Sequence, residues 1–163
     1  TSVVIPEGVT VIQYGAFKGC DSLTSVEIPK GVTKVSMYAF SGCSSLISVV
    51  IPNSVTEIGE FTFAGCFSLK VILCNKAQFD SHPDEFLAWS IVLNHDFEPL
   101  RLPEGMIEAP QKPKNFSQMS RDTKLMYYVI AMMGDEWLNM DRDEKIDFIK
   151  TTNPMFMAEV IAL

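Results

Sequence analysis

The feature that most constrains the fold is a 23-residue period that runs from Val3 to Leu73 in three copies. Isoleucine, phenylalanine and cysteine each return at that spacing without a gap. The three sets are Ile5, Ile28 and Ile51; Phe17, Phe40 and Phe63; and Cys20, Cys43 and Cys66. A fixed period of this length is typical of a solenoid, in which each unit buries its apolar face only by stacking on its neighbours. The period therefore predicts an elongated stack of similar turns.

Each copy begins with a short β-branched run. In the second copy, Leu23, Val26 and Ile28 follow the L-x-x-L-x-L spacing of leucine-rich repeats. Alternation along a strand sends these residues inward and the intervening ones outward, to a concave face. Proline and glycine in Ile-Pro-x-Gly then predict a type I turn, with Pro29 at i+1 and Gly31 at i+3.

The segment after the turn predicts the opposite wall of each unit. Val32 and Val35 form a second inward pair, and Phe40 closes the core before the chain bends back at Gly42. The recurring cysteines are expected to point inward as small apolar side chains. Buried thiols are favoured over disulfides, because a solenoid is already closed by stacking.

The repeated phrases are Val-x-Ile-Pro-x-x-Val-x-x-(Ile/Val) and Ala-Phe-x-Gly-Cys-x-Ser-Leu, first from Val3 to Leu23 and again from Val26 to Leu46. They resemble the BspA-like class of leucine-rich repeats, named after a bacterial surface antigen. Thr62 replaces the alanine in the third copy. The resemblance implies an α/β-type repeat fold, a right-handed solenoid of short parallel strands.

The same resemblance implies a function. Its members are non-enzymatic binding solenoids, found mostly in bacteria and some protists, often at the cell surface and linked to adhesion. It implies a protein partner, such as a host matrix or surface protein, and it carries no catalytic residue, cofactor or metal. An intracellular scaffold that recruits a partner through its carboxy-terminal tail is the alternative.

The outward rows of the strand ladder are the candidate binding residues. Exposed valine and leucine beside a row of serines are unusual for a purely solvated face, so contact with a partner or with the carboxy-terminal segment is expected. The two rows are Ser2, Ser25, Ser48 and Val71, and Val4, Glu27, Val50 and Leu73.

The pattern predicts three regions: the repeats in 1–74, an irregular insertion and degenerate last repeat in 75–108, and a helical cap in 109–163. The array of repeats is expected to stop after Leu73. A partial copy of the repeat motif from Leu100 to Met106 is expected to form a displaced last strand and turn. Within the insertion, Pro83 followed by two acids predicts a helix that ends near Leu93. A buried strand is the competing interpretation, because the apolar run has no clean period.

The last region predicts short helices that cover the open end of the solenoid. Ser120 caps a helix to about Met133, with Leu125, Met126, Val129, Ile130 and Met133 on one stripe and Gly134 as the stop. Asp141 and Glu144 predict a capping box for a second helix that ends near Asn153. Pro154 begins a third, from Met155 to Leu163.

Charge and motifs narrow the function classes. Residues 1–74 hold 4 Lys/Arg against 5 Asp/Glu, net −1, and residues 75–163 hold 9 against 15, net −6. This acidic surface disfavours nucleic acid and anionic membrane, which bind clustered cations. Since no apolar run approaches the ~20 residues of a bilayer-spanning helix, membrane insertion is not expected.

Histidine and carboxylate clusters leave a metal-binding or catalytic domain in residues 75–163 as a second alternative. His82 lies near Asp84 and Glu85, and His95 near Asp96 and Glu98, but neither pair has zinc-site spacing. Surface or capping histidines are the favoured interpretation. The chain opens at Thr1 in mid-repeat, so we expect it to be the carboxy-terminal part of a longer protein, and the sequence leaves its compartment open.

Overall fold

The computed structural model describes residues 2–86, 90–103, 106, 108, 110–112 and 114–152. The strands, with one short helix and a 3-10 turn among them, lie in the first two thirds of the described chain, and three helices follow. The elements are β1 (Ser2–Val4), β2 (Val11–Ile12), β3 (Ser25–Glu27), β4 (Lys34–Val35), β5 (Ser48–Val50), β6 (Glu57–Ile58), β7 (Val71–Leu73), α1 (Lys76–Ser81), a 3-10 turn (Pro83–Glu85), β8 (Ile91–Leu93), β9 (Pro99–Arg101), a 3-10 turn (Phe116–Gln118), α2 (Arg121–Met133), α3 (Asp135–Asn139) and α4 (Arg142–Thr152).

Two parallel ladders form the walls of the solenoid. One sheet has six strands in the order β1, β3, β5, β7, β8, β9, and the other has three in the order β2, β4, β6. In the larger sheet Ser2 pairs with Ser25, Ser25 with Ser48, and Ser48 with Val71, all in parallel register. The offset is the 23-residue sequence period, so the predicted parallel solenoid is confirmed.

The repeated phenylalanines form a column inside the stack. Ring centroids of Phe17 and Phe40 are 5.2 Å apart with planes inclined by 2°. Those of Phe40 and Phe63 are 6.0 Å apart and inclined by 7°. Both Phe40 and Phe63 are buried, together with the predicted inward residues Val32 and Val35. One continuous core therefore runs along the axis.

The four cysteines are free thiols, and of the three recurring ones expected to point inward, Cys43 and Cys66 are buried while Cys20 is half-buried. The Sγ of Cys43 donates to the carbonyl of Phe17 at 3.1 Å, and that of Cys66 to the carbonyl of Phe40 at 3.2 Å. Hydrogen bonding with Cys43, and then burial, raise the pKa of the Cys66 thiol. Cys43 and Cys66 thus serve as weak donors that tie one turn to the previous one.

The predicted position of the turn is wrong by one residue. The N–H of Val9 donates to the carbonyl of Pro6, and that of Val32 to the carbonyl of Pro29. Proline is therefore residue i and glycine residue i+2. Gly8 has φ +95°, the positive value that type II turns require there, whereas Gly31 has no positive φ.

The predicted helix up to Leu93 is also wrong. Helix α1 lies earlier, a single 3-10 turn follows, and residues 91–93 form strand β8. Strand β8 pairs in parallel with β7, so the array continues for one more rung instead of stopping after Leu73. All three residues of β8 are buried. A parallel strand covered on both faces has no polar alternation, which explains the missing period.

The echo beginning at Leu100 is not a further parallel rung. Strand β9 pairs with β8 in antiparallel register. Five residues separate the two strands, and so short a connection can only form a hairpin, because parallel strands need a crossover of about a dozen residues. Positions 104 and 105 of the predicted turn lie outside the described residues.

The carboxy-terminal helices largely follow their predicted signals. Helix α2 ends at Met133, and Gly134 follows with φ +53°. The capping box of α4 is confirmed: the N–H of Glu144 donates to Asp141 at 2.8 Å, and the N–H of Asp141 to Glu144 at 2.9 Å. Helix α3 was not predicted. The side chains of Leu125 and Met126, and the predicted third helix, lie outside the described residues.

Candidate functional site

The outward face of the larger sheet, which contains the eight candidate binding residues, is exposed at one end and covered at the other. In the second row, Val4 is 87% exposed, Glu27 is exposed, Val50 is half-buried and Leu73 is 1% exposed. Exposure falls along the first row in the same way: Ser2 is exposed, Ser25 is half-buried, and Ser48 and Val71 are buried. The expectation that Leu73 is exposed is therefore wrong.

Helix α2 covers the buried end of the outward face. Tyr128, Val129 and Met133 pack in one cluster with Val71 and Leu73, and the cluster also includes β8 residues. The predicted contact between this face and the carboxy-terminal segment is confirmed. The predicted location of the helices over the open end is wrong: α2 lies against the side of the sheet, because the apolar residues of β7 and β8 face outward there.

A cleft of about 630 Å³ lies at the boundary between the exposed and covered ends. Its lining combines apolar side chains from three rungs with polar groups from the turns, from α2 and from the β8–β9 hairpin. These residues are Val4, Ile5, Glu7, Glu27, Ile28, Pro29, Lys30, Val50, Pro52, Asn53, Ser54, His95 and Arg121. We call this site the outward cleft. Three predicted binding residues, Val4, Glu27 and Val50, meet here.

An ion pair crosses the outward cleft. The Nη2 atom of Arg121, the first residue of α2, is 3.0 Å from the Oε1 atom of Glu27 on β3. Both side chains are partly exposed, at 46% and 70%, so the pair contributes at most about 1 kcal/mol. The carboxylate and guanidinium remain accessible to a ligand that binds beside them.

Two polar atoms of the outward cleft have no hydrogen-bond partner among the described residues. They are the Oγ of Ser54 and the Nε2 of His95, and both are buried. Burial, with a smaller contribution from Arg121, lowers the pKa of His95, although the Ile51 carbonyl and Asp96 oppose the shift. Because its pKa lies below the ordinary value, His95 is neutral near pH 7.

The histidine and carboxylate clusters do not assemble a metal centre in the described part of the chain. No three His, Cys, Asp or Glu side chains within it converge where a metal could be held. His82 follows α1 and its backbone N–H donates to the Phe79 carbonyl. His95 instead belongs to the outward cleft.

Comparison with known protein families shows to which family these repeats belong. A family model described as "BspA type Leucine rich repeat region (6 copies)" matches residues 1–88, more than half of the chain. The chain belongs to the BspA-type leucine-rich-repeat family. The matched region includes all three sequence repeats, α1 and the start of the segment that leads to β8.

A solved structure is also similar to part of this BspA-type chain. It is a leucine rich cell surface protein from Faecalibacterium prausnitzii A2-165, 29% identical, and the likeness covers 47% of this chain and 26% of that chain with a TM-score of 0.36. No curated protein is a significant match. Among the described helices, none has the length and apolar character needed to cross a bilayer.

Among the residues of the outward cleft that the sequence of this BspA-type solenoid did not assign to binding, three carry the polar groups that matter most: Arg121, His95 and Ser54. Arg121 lies 94 positions after its partner Glu27, and no local pattern links them. His95 was considered only as a metal ligand or a surface residue. Ser54 replaces the glycine found at position 31 of the previous repeat. That departure from the repeat could have indicated the site from the sequence, since it places a hydroxyl group where the first two repeats have glycine.

Proposed function

We propose that this chain is a non-catalytic module that binds a partner protein through the exposed end of its outward face. The observation that carries the proposal is the side chain of Val4, 87% exposed beside a cleft that also holds the Glu27 and Arg121 ion pair. Val4 and the half-buried Val50 line this cleft together with charged groups, and an apolar centre with a charged rim is typical of a protein contact. The last rungs are covered by α2 and take no part.

Adhesion is the biological role that this binding favours. The support is the membership in the BspA-type family, whose name comes from a bacterial surface antigen. The proposed partner is a host matrix or surface protein, and the proposed location is the cell surface or the extracellular medium.

Surface plasmon resonance against a panel of purified extracellular matrix proteins tests this function. The informative variant is Glu27→Arg, which reverses the charge in the outward cleft. Glu57→Arg is the matched control, because Glu57 is also an exposed strand glutamate paired with a cation, Lys34, but lies on the other sheet. We expect Glu27→Arg to weaken binding about 10-fold, which corresponds to 1.4 kcal/mol, and the control to leave it unchanged. Equal affinities of the two variants, or no saturable binding to the panel, would contradict the proposal.

A further inference from the structure

We propose that the outward cleft binds a neutral oligosaccharide, with sugar hydroxyls at Ser54 and His95 and the apolar face of the sugar ring against Val4 and Val50. This inference concerns the same face as the proposed protein-binding function but does not depend on it. A free polysaccharide and the glycan of a glycoprotein are both sources of this chemistry.

The unpartnered polar atoms favour hydroxyl groups as the ligand. Ser54 Oγ and His95 Nε2 are buried without a hydrogen-bond partner among the described residues, and an unsatisfied buried polar atom costs free energy. A neutral histidine has one N–H and one acceptor nitrogen. A hydroxyl both donates and accepts, so it would satisfy either nitrogen and also the Ser54 hydroxyl once these side chains turn towards the cleft. An aliphatic peptide side chain would leave both atoms unpaired.

The charges of the outward cleft favour a ligand without net charge. Glu7 and Glu27 are balanced by Lys30 and Arg121. His95 adds no charge near pH 7, because burial holds its pKa below the ordinary value. With these charges balanced, neither an anionic nor a cationic ligand gains a net electrostatic attraction. The carboxylates and cations can instead accept from and donate to sugar hydroxyls.

The size and apolar surface of the outward cleft also suit a short oligosaccharide. Its volume of about 630 Å³ lies within the range of about 300–1,000 Å³ that is common for small-ligand sites. Val4, Ile28, Pro29 and Pro52 provide apolar surface among the polar groups. A pyranose ring has the matching pattern, with C–H groups on its faces and hydroxyls around its rim.

Isothermal titration calorimetry with free sugars tests the proposal without any protein partner. The neutral probes are maltotetraose, cellotetraose, chitotetraose and mannotetraose, and tetragalacturonate is the charged probe of equal length. The variants are Ser54→Ala and His95→Phe, with Ser81→Ala as a matched control because Ser81 is exposed at the end of α1. Thermal unfolding of each variant is measured first, and Ser54→Ala should be as stable as the parent, since it removes an unsatisfied hydroxyl.

We expect at least one neutral tetraose to bind with a Kd below about 1 mM, and both cleft variants to weaken it about 5-fold or more while the control does not. Failure of all neutral probes to bind, preference for tetragalacturonate, or equal binding by Ser54→Ala and the parent would overturn the proposal. If the bound tetraose displaces a matrix glycoprotein, the glycoprotein is the source. If it binds without displacing any, a free polysaccharide is. A negative calorimetry result would not contradict the proposed protein binding, because no protein partner is present in the titration.

Discussion

Gly59 lies where two consecutive turns of the solenoid are in direct backbone contact, and its N–H donates to the Val35 carbonyl at 2.7 Å. A Cβ atom at this position would be 2.2 Å from the backbone nitrogen of Met37 and 2.6 Å from the carbonyl carbon of Ser36. Since the contacts are backbone atoms, no side-chain rotation relieves them. We predict that Gly59→Ala lowers the free energy of unfolding by about 1–3 kcal/mol, measured by urea denaturation.

Gly31→Ala is the matched control for this prediction. Gly31 has no positive φ, and the nearest atom to an added Cβ is the Val9 carbonyl oxygen at an ordinary 3.6 Å. We expect the control to be neutral or stabilising by up to about 1 kcal/mol, because alanine restricts the unfolded chain. If Gly59→Ala were no more destabilising than Gly31→Ala, the close backbone contact at Gly59 would be contradicted.

Tyr128 makes the free energy of unfolding depend on pH in the alkaline range. Its hydroxyl donates to the Phe97 carbonyl at 3.1 Å, and burial, followed by Tyr127 and Glu98, raises its pKa to about 12. A pKa raised above the unfolded value means that the neutral phenol stabilises the fold below about pH 10 and loses this contribution as the pH rises towards 12. We predict that urea midpoints fall less steeply between pH 9 and 12 in Tyr128→Phe than in the parent. Parallel curves would contradict the burial of this hydroxyl.

Individual inward residues could be predicted from the sequence, whereas the exposure of outward ones could not. The column of Phe17, Phe40 and Phe63 follows from the period alone, because equivalent residues of stacked units must coincide. The difference between exposed Val4 and buried Leu73 depends on α2, which begins 48 residues after Leu73. No alternation within a strand contains that information.

Helix α1 joins the third repeat to the following rung through Gln78. This side chain is 5% exposed, and its Nε2 donates to the carbonyls of Pro52 at 2.7 Å and Val55 at 2.8 Å. Its Oε1 accepts from the N–H of Asn75 at 2.8 Å. We predict that Gln78→Ala lowers the free energy of unfolding by about 2–3 kcal/mol, since the Val55 carbonyl loses the Gln78 donor and the Pro52 carbonyl keeps only the Val55 N–H.

Lys76→Ala is the control within the same helix. Among the described residues Lys76 pairs with Asp80, in an exposed i,i+4 contact, so its loss should cost at most about 0.5 kcal/mol in the same urea titration. Equal losses in the two variants would mean that α1 is held by its own helical propensity and not by its bonds to the third repeat.

Elements with local signals were predictable, and those formed by tertiary pairing were not. Asp141 and Glu144 are enough to predict the capping box of α4. The equivalent box of α1, Asn75 and Gln78, is a local signal of the same kind. Strand β8 carries no such signal, because it forms by pairing with the open edge of β7.

At the scale of the whole molecule, the solenoid and α2 share a second core on the outward face. A chain ending at Lys114 would uncover Val71, Leu73 and their β8 neighbours Ile91 and Leu93. We predict that this truncation binds the dye ANS strongly and elutes as an aggregate in size-exclusion chromatography, because a large apolar patch becomes exposed.

A chain ending at Met140 is the control for the truncation. It keeps α2 and its buried Tyr128 and Val129, so it should remain monodisperse and bind little dye. Identical behaviour of the two truncations would show that α2 does not protect the sheet. The stacking of units was predictable because each contacts only its neighbours, but the docking of a later helix against their side was not.

The division of the outward face into an exposed end and a covered end underlies both the fold and the proposed binding site. It is tested most directly by the maleimide labelling rates of Val4→Cys and Leu73→Cys, located by mass spectrometry in the folded protein. Val4 is 87% exposed and Leu73 is 1% exposed. We predict that the cysteine at position 73 reacts at least about 100-fold more slowly, because it must wait for α2 to open. Equal rates at the two positions would contradict this arrangement.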